Sequence, residues 1–285
     1  MAYTTTLISA AELMSHVDDV GWRIFDVRHD LFDRDAGLRA YQAGHVPGAQ
    51  FAHIDDDLSG TKTGLNGRHP LPVRDQLVAR FREWGIDNGT QIIAYDAHGG
   101  QFAARLWWLA RWLGHTSTAV LDGGWPAWLA AGGAVSTDMP ASARSSFVAS
   151  PSTLSVRDTR DVLESLGDTS RLLVDARLPE RYRGELEPID PVAGHIPGAL
   201  NRPWTQNLTS EQRFKSSAAL RAEFAALLGA RPPDRVTHQC GSGVTACHHV
   251  LAMEVAGLPG SALYSGSWSE WIADPSRPVR TGAAP

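Results

Sequence analysis

At 285 residues the chain is long for one domain and comfortable for two. Apolar residues make up 43% and charged residues 20%, with a formal charge of −5; this fits a globular protein and argues against nucleic acid or an anionic membrane as partner. No apolar run of about eighteen residues occurs, and the N-terminus lacks a basic stretch followed by an apolar one, so neither a membrane span nor a secretory signal is expected.

In chain order, Ser9 with Glu12 reads as a capping box that opens a helix over 10–17. Short apolar runs predict strands over 23–27, 91–95 and 119–121, with helices over 75–84 and 102–113 between them. Residues 138–153 are rich in Ser, Ala and Pro, have no sustained period and read as a linker. Beyond it, helices are expected over 158–166, 217–228 and 244–256, and strands over 172–175, 235–238 and 262–264. Alternating strands and helices predict an α/β fold, each sheet mainly parallel and flanked by helices.

The two halves repeat one another. Ile24-Phe25-Asp26-Val27-Arg28 and Gly44-His45-Val46-Pro47-Gly48-Ala49 return about 150 residues later as Leu173-Val174-Asp175-Ala176-Arg177 and Gly194-His195-Ile196-Pro197-Gly198-Ala199. Leu121-Asp122-Gly123-Gly124-Trp125 is echoed by Tyr264-Ser265-Gly266-Ser267-Trp268. Such a period is that of a whole domain, which predicts one domain over 1–137 and a second over 154–285.

Only the second copy carries a nucleophile. In Val236-Thr237-His238-Gln239-Cys240-Gly241-Ser242-Gly243-Val244-Thr245-Ala246 an apolar strand ends at a cysteine, a tight glycine loop follows, and a helix begins. A loop of this kind turns backbone N–H groups toward one point, and the helix behind adds its positive end; both favour thiolate over thiol. The bland alternative, Cys240 as a small buried hydrophobe, does not account for the glycines. Aligning Gly100 on Gly243 puts Ala97 opposite Cys240, so the first copy reads as the scaffold without the nucleophile. His45 and His195 recur in both copies and read as structural turn residues. His248, His249, Cys247 and the Trp107, Trp108 and Trp112 cluster read as packing. Cys240 and Cys247 are too few for a disulfide framework and do not match a zinc spacing; they fit a reducing, cytoplasmic setting.

Taken together, the Gly-His-Ile-Pro-Gly-Ala block, Arg181-Tyr182-Arg183-Gly184, the cysteine loop and Gly266-Ser267-Trp268-Ser269-Glu270-Trp271 resemble the tandem rhodanese-domain sulfurtransferases. The resemblance implies two tandem rhodanese-like domains and a sulfane sulfur carried as a persulfide on Cys240. Gly241, Gly243, Val244 and Thr245 would then surround the sulfur, and Arg181 would bind the donor's anionic group, at a larger cost to donor binding than to folding if it is removed. Gly241 and Ser242, where thiosulfate-using members carry basic residues, resemble the 3-mercaptopyruvate enzymes. The stretch Glu187-Pro188-Ile189-Asp190 lacks a second arginine of those enzymes and leans toward thiosulfate, with Arg183 as the substitute. Ser242, His69 and Asp55 match a serine, histidine and aspartate set, with Asp56 and Asp57 as competing choices for the acid. No cofactor and no metal are implied. The partners implied are a small sulfur donor and a cyanide or thiol acceptor, thioredoxin among them, with no nucleic acid and no membrane. A cysteine phosphatase would need an arginine where Ala246 stands.

Overall fold

A computed structural model describes residues 3–285. The chain divides into two compact units. The first comprises Met1–Gly60, Pro72–Thr153 and Ser210–Phe214; the second comprises Thr61–Leu71, Leu154–Thr209 and Lys215–Pro285.

The first unit runs β1 (Leu7–Ile8), α1 (Ala10–Met14), β2 (Trp22–Asp26), α2 (Ala36–Ala43), β3 (Gln50–Phe51), α3 (Arg74–Glu83), β4 (Gln91–Tyr95), α4 (Ala103–Trp112), β5 (Thr118–Leu121) and α5 (Gly124–Ala130). Its sheet has the order β1-β5-β4-β2-β3, every pairing parallel. Helix crossovers cover such a sheet on both faces, which is why β4 and β5 are buried throughout rather than alternating. α4 is buried over most of its length, including Trp107 and Trp108. Each indole removes about 150–250 Å² from water, roughly 4–6 kcal/mol of transfer free energy before the entropy of ordering it.

α1 is shorter than the sequence period suggests. Ser9 accepts from the Glu12 N–H at its start, and Ser15 donates its hydroxyl to the Glu12 carbonyl at 2.7 Å, ending the helix at Met14. Residues 138–149 form neither helix nor strand apart from the chain's irregular path, and the stretch is held to the first unit. The Ser145 N–H donates to the Arg82 carbonyl, the Ser150 N–H donates to the Leu113 carbonyl, and Phe147 packs on Phe81. From the segment Ser210–Phe214, the Phe214 N–H donates to Asp122 Oδ1 at 2.8 Å.

The second unit repeats the plan: β6 (Ser155–Arg157), α6 (Thr159–Glu164), β7 (Leu172–Asp175), α7 (Pro179–Arg183), β8 (Leu200–Asn201), α8 (Ser217–Leu228), β9 (Val236–Gln239), α9 (Thr245–Val255), β10 (Ala262–Tyr264) and α10 (Ser267–Trp271). The sheet order is β6-β10-β9-β7-β8, again parallel. Val162, Tyr182, Ile196, Tyr264, Trp268 and Trp271 pack into one core cluster.

The repeated sequence blocks build repeated devices. Arg177 Nη2 donates to Asp175 Oδ2 and to the Gly194 carbonyl, both at 2.7 Å, under the Trp268 ring; Asp26, Arg28, Gly44 and Trp125 do the same in the first unit. His45 stacks on Tyr41 and His195 on Tyr182, each with Nδ1 2.8 Å from that tyrosine's carbonyl oxygen, so both histidines are structural. Among the described residues no helix is long and apolar enough to cross a membrane.

Candidate active site

Cys240 follows the last residue of β9, in the centre of the second sheet, and is 2% exposed. Its backbone is fixed on both sides. The Cys240 N–H donates to Ser267 Oγ at 3.1 Å, and its carbonyl accepts from the Trp268 N–H at 3.0 Å. The Gly241 carbonyl accepts from the Ser269 N–H at 2.9 Å. The start of α10 therefore holds one edge of the loop.

Gly243 holds the other edge. Its φ is +79°, and a Cβ there would lie 2.1 Å from the Ser265 carbonyl oxygen, so only glycine fits. Its N–H donates to Cys240 Sγ at 3.2 Å, and its carbonyl accepts from Cys247 Sγ at 3.2 Å. One residue thus links both cysteines: Cys240 accepts from its N–H, and Cys247 donates to its carbonyl. Cys247 is fully buried in α9, the core thiol expected of its spacing. Val244 and Thr245 close the loop at the start of α9.

The segment Thr61–Leu71 brings two more side chains to this loop. The Arg68 N–H donates to Ser269 Oγ at 3.0 Å, and the next residue, His69, lies with Nδ1 2.7 Å from Ser242 Oγ. Both His69 and Ser242 are 6% exposed. Two members of the expected serine, histidine and aspartate set therefore meet within the second unit. Asp55 belongs to the first unit, in the turn after β3, where its N–H donates to His53 Nδ1 at 3.1 Å. Asp56 pairs there with Arg34, and Asp57 accepts from the His53 N–H.

A charge cluster lies beside the loop. Arg181, in α7, reaches Glu187 Oε1 at 2.7 Å and Asp190 Oδ2 at 3.1 Å. Asp190 Oδ1 accepts from Arg68 Nη1, and Arg177 Nη1 lies 3.5 Å from Glu187 Oε2. The side chains of Glu187 and Asp190 are 4% and 3% exposed. Burial and the like charge of Arg181 press the Arg68 pKa down to about 10, against the pull of Cys240 and Glu187; it remains a cation at neutral pH. A Cβ on Gly241 would meet Arg68 Nη2 at 2.9 Å and Arg181 Nη1 at 3.5 Å, so glycine leaves the room these guanidiniums occupy. Arg183 takes no part in this cluster's pairs; its Nε and Nη2 engage exposed Glu185 at 2.8 and 2.7 Å.

Sequence reasoning named Arg181 but not Arg68, and used Glu187 and Asp190 only as a marker. Both signals were visible, in Arg68-His69-Pro70 and Glu187-Pro188-Ile189-Asp190, yet the segments are over a hundred residues apart and only the fold brings them together. The expectation that removing Arg181 costs folding little meets a different setting: its side chain is 14% exposed and tied to two buried carboxylates.

The counterpart of Cys240 in the first unit is also corrected. Asp26 pairs with Tyr95 in the first sheet, as Asp175 pairs with Gln239 in the second. The residue after the strand is then Asp96, and its carbonyl accepts from the Trp125 N–H as that of Cys240 accepts from the Trp268 N–H. Asp96, not Ala97, stands where the cysteine does. The first loop has one more residue before its glycine, which shifted an alignment made on that glycine. Its four inward N–H groups, from His98, Gly100, Phe102 and Ala103, all donate to the Asp96 carboxylate at 2.7–2.9 Å. That loop carries its own anion.

Comparison with known proteins gives the family of the chain. A family model described as a rhodanese-like domain matches twice, over residues 9–131 and 158–274. A Pseudomonas aeruginosa protein provisionally named a 3-mercaptopyruvate sulfurtransferase is 44% identical over 278 residues, covering 97% of this chain and 98% of the relative. A Mycobacterium tuberculosis protein provisionally named a thiosulfate sulfurtransferase is 40% identical, covering 98% of each. The crystal structure of the Escherichia coli 3-mercaptopyruvate enzyme is similar with a TM-score of 0.80 at 31% identity, over 93% of this chain and 99% of that one.

Proposed function

The chain belongs to the rhodanese-like family and is a sulfurtransferase, and on that premise we propose that Cys240 carries the sulfur as a persulfide and that 3-mercaptopyruvate is the preferred donor. The Cys240 thiolate attacks the donor's sulfur; the carbon–sulfur bond breaks and its electron pair passes to carbon as the pyruvate enolate. The proton of the donor thiol must then reach that carbon, giving pyruvate and the Cys240 persulfide anion. A thiophilic acceptor removes the terminal sulfur: cyanide leaves as thiocyanate, a thiolate as its own persulfide, and the Cys240 thiolate returns. Small thiols and thioredoxin are acceptors of the required chemistry.

The observation that carries the donor preference is the buried His69–Ser242 pair beside Cys240, Nδ1 to Oγ 2.7 Å. Mercaptopyruvate needs a proton moved from sulfur to carbon, and a histidine with a hydroxyl partner is suited to that. Thiosulfate needs none, because sulfite leaves as a stable anion. Arg181 supplies the partner for the donor's carboxylate, whose planar oxygens match a guanidinium. Gly241, Gly243, Val244 and Thr245 give the backbone that surrounds the transferred sulfur.

The second reading, thiosulfate as donor, is favoured by the guanidiniums of Arg68 and Arg181 flanking Gly241, cations that the loop itself lacks. Donor kinetics separate the two. With cyanide as acceptor, kcat/KM for 3-mercaptopyruvate is expected to exceed that for thiosulfate about tenfold or more, a difference of about 1.4 kcal/mol in transition-state free energy. His69→Asn should lower kcat for 3-mercaptopyruvate about 100-fold, within the range for loss of a general acid–base group, and leave thiosulfate turnover nearly unchanged. Equal losses with both donors would remove His69 from proton transfer; a wild-type preference for thiosulfate would replace the first reading by the second.

A further inference from the structure

Beside the Cys240 loop, one buried carboxylate bridges two guanidiniums. Both oxygens of Asp190 are engaged, Oδ1 by Arg68 and Oδ2 by Arg181 at 3.1 Å. The residue is held in that bridging position by its own turn: the Ile189 and Asp190 N–H groups donate to Glu187 Oε1, each at 3.1 Å. Glu187 in turn faces Arg181 at 2.7 Å and Arg177 at 3.5 Å, and Asp175 pairs with Arg177. Arg68, Arg177 and Arg181 are thus matched by Asp175, Glu187 and Asp190, three charges against three, in a region of low solvent access. Cations are present at Gly241, but their charge is balanced before any donor arrives.

We propose that Asp190 is a specificity-determining residue, which by bridging Arg68 and Arg181 disfavours donors with two negative charges relative to donors with one. The proposal rests on the reading that the donor's anionic group meets Arg181. A dianion such as thiosulfate, and the sulfite it releases, brings a second negative charge toward the buried Asp190 carboxylate without a second free cation to receive it. A 2-oxo acid with one carboxylate brings only one. Away from bulk water charges are less screened, so this difference acts on the ratio of the two donors.

The test uses the full chain, cyanide as acceptor, and sodium thiosulfate and 3-mercaptopyruvate as donors at one ionic strength. The quantity read is the ratio of kcat/KM for thiosulfate to that for 3-mercaptopyruvate, which cancels losses common to both. Asp190→Asn removes the charge but keeps the shape, and should raise the ratio about tenfold or more. Arg68→Met leaves Asp190 to Arg181 alone and should lower the ratio several-fold. Its side chain is 27% exposed, so this variant should fold, and a ratio that does not fall in it overturns the proposal even if Asp190→Asn does not fold. Opposite shifts are what a merely structural role for these residues does not produce. Ratios within twofold of wild type, or shifts in the same direction, overturn the proposal. The wild-type ratio by itself judges the donor reading, so a protein that prefers thiosulfate but shows the opposite shifts loses that reading and keeps the role of Asp190.

Discussion

On the proposed mechanism, one side chain, Arg181, serves both donor and fold. Its guanidinium faces Gly241 while holding Glu187 and Asp190, both almost fully buried. Loss of a charge-assisted hydrogen bond to the donor costs about 1.5–3 kcal/mol of binding, so Arg181→Ala should raise the donor KM roughly 10- to 100-fold. Unlike an exposed arginine, it also leaves two buried carboxylates short of a partner, which costs about 3–5 kcal/mol when such a pair is broken. Urea unfolding alongside donor kinetics checks both halves. Unchanged donor kinetics in a folded variant would remove Arg181 from the site, and unchanged stability would show that solvent replaces it. The sequence named this residue by a motif, but its burial depends on Glu187 and Asp190 folding back onto α7, which no local pattern records.

At the scale of elements, β9 and α9 bury polar groups behind the Cys240 loop. His238 on β9 and His249 on α9 are fully buried, with ring centroids 5.1 Å apart. Burial, with Arg202 nearby, lowers the His238 pKa to about 3; burial and His238 hold that of His249 well below its usual value. In the unfolded chain both return to about 6.5. Below that pH the unfolded state binds more protons than the folded one, so stability present above pH 6.5 is lost as pH falls toward the folded values, at up to about 1.4 kcal/mol per pH unit for each histidine. His29 and His115, also lowered by burial, act in the same sense. Asp57, Asp122 and Glu270, raised by burial, act in the opposite sense at lower pH. The urea midpoint should therefore fall from pH 7 to pH 5, and fall less steeply in His249→Gln; an unaltered slope in that variant would contradict the assignment. The longer elements here were legible in the sequence: α8 spans Ser217–Leu228, β7 Leu172–Asp175 and β10 Ala262–Tyr264, as their apolar runs predict. The two-residue edge strands β1, β3 and β8 were not, because two residues are too few to set a period.

For the whole molecule, duplication gives two parallel sheets of one topology and two loops of opposite content. The repeat itself was plain in the sequence, because the Asp-Arg pair, the histidine turn and the tryptophan helix must each be built twice. The pairing of Asp96 with Cys240 was not, since it depends on strand register rather than on the glycines. With its carboxylate receiving four N–H bonds, Asp96 should act as the first loop's structural anion. Asp96→Ala is expected to destabilise the protein by on the order of 3 kcal/mol, as four buried donors lose a charged acceptor; thermal unfolding at the wild-type temperature would contradict this. On the proposed mechanism the same contrast sets a stoichiometry of one sulfur per chain, since one loop holds a thiol and the other a carboxylate. The most direct measurement is the intact mass of the protein after treatment with 3-mercaptopyruvate in the absence of acceptor. The account predicts one added sulfur atom per chain, removed by cyanide, retained in Cys247→Ser and lost in Cys240→Ser; a Cys240→Ser protein that still gains the sulfur would contradict it.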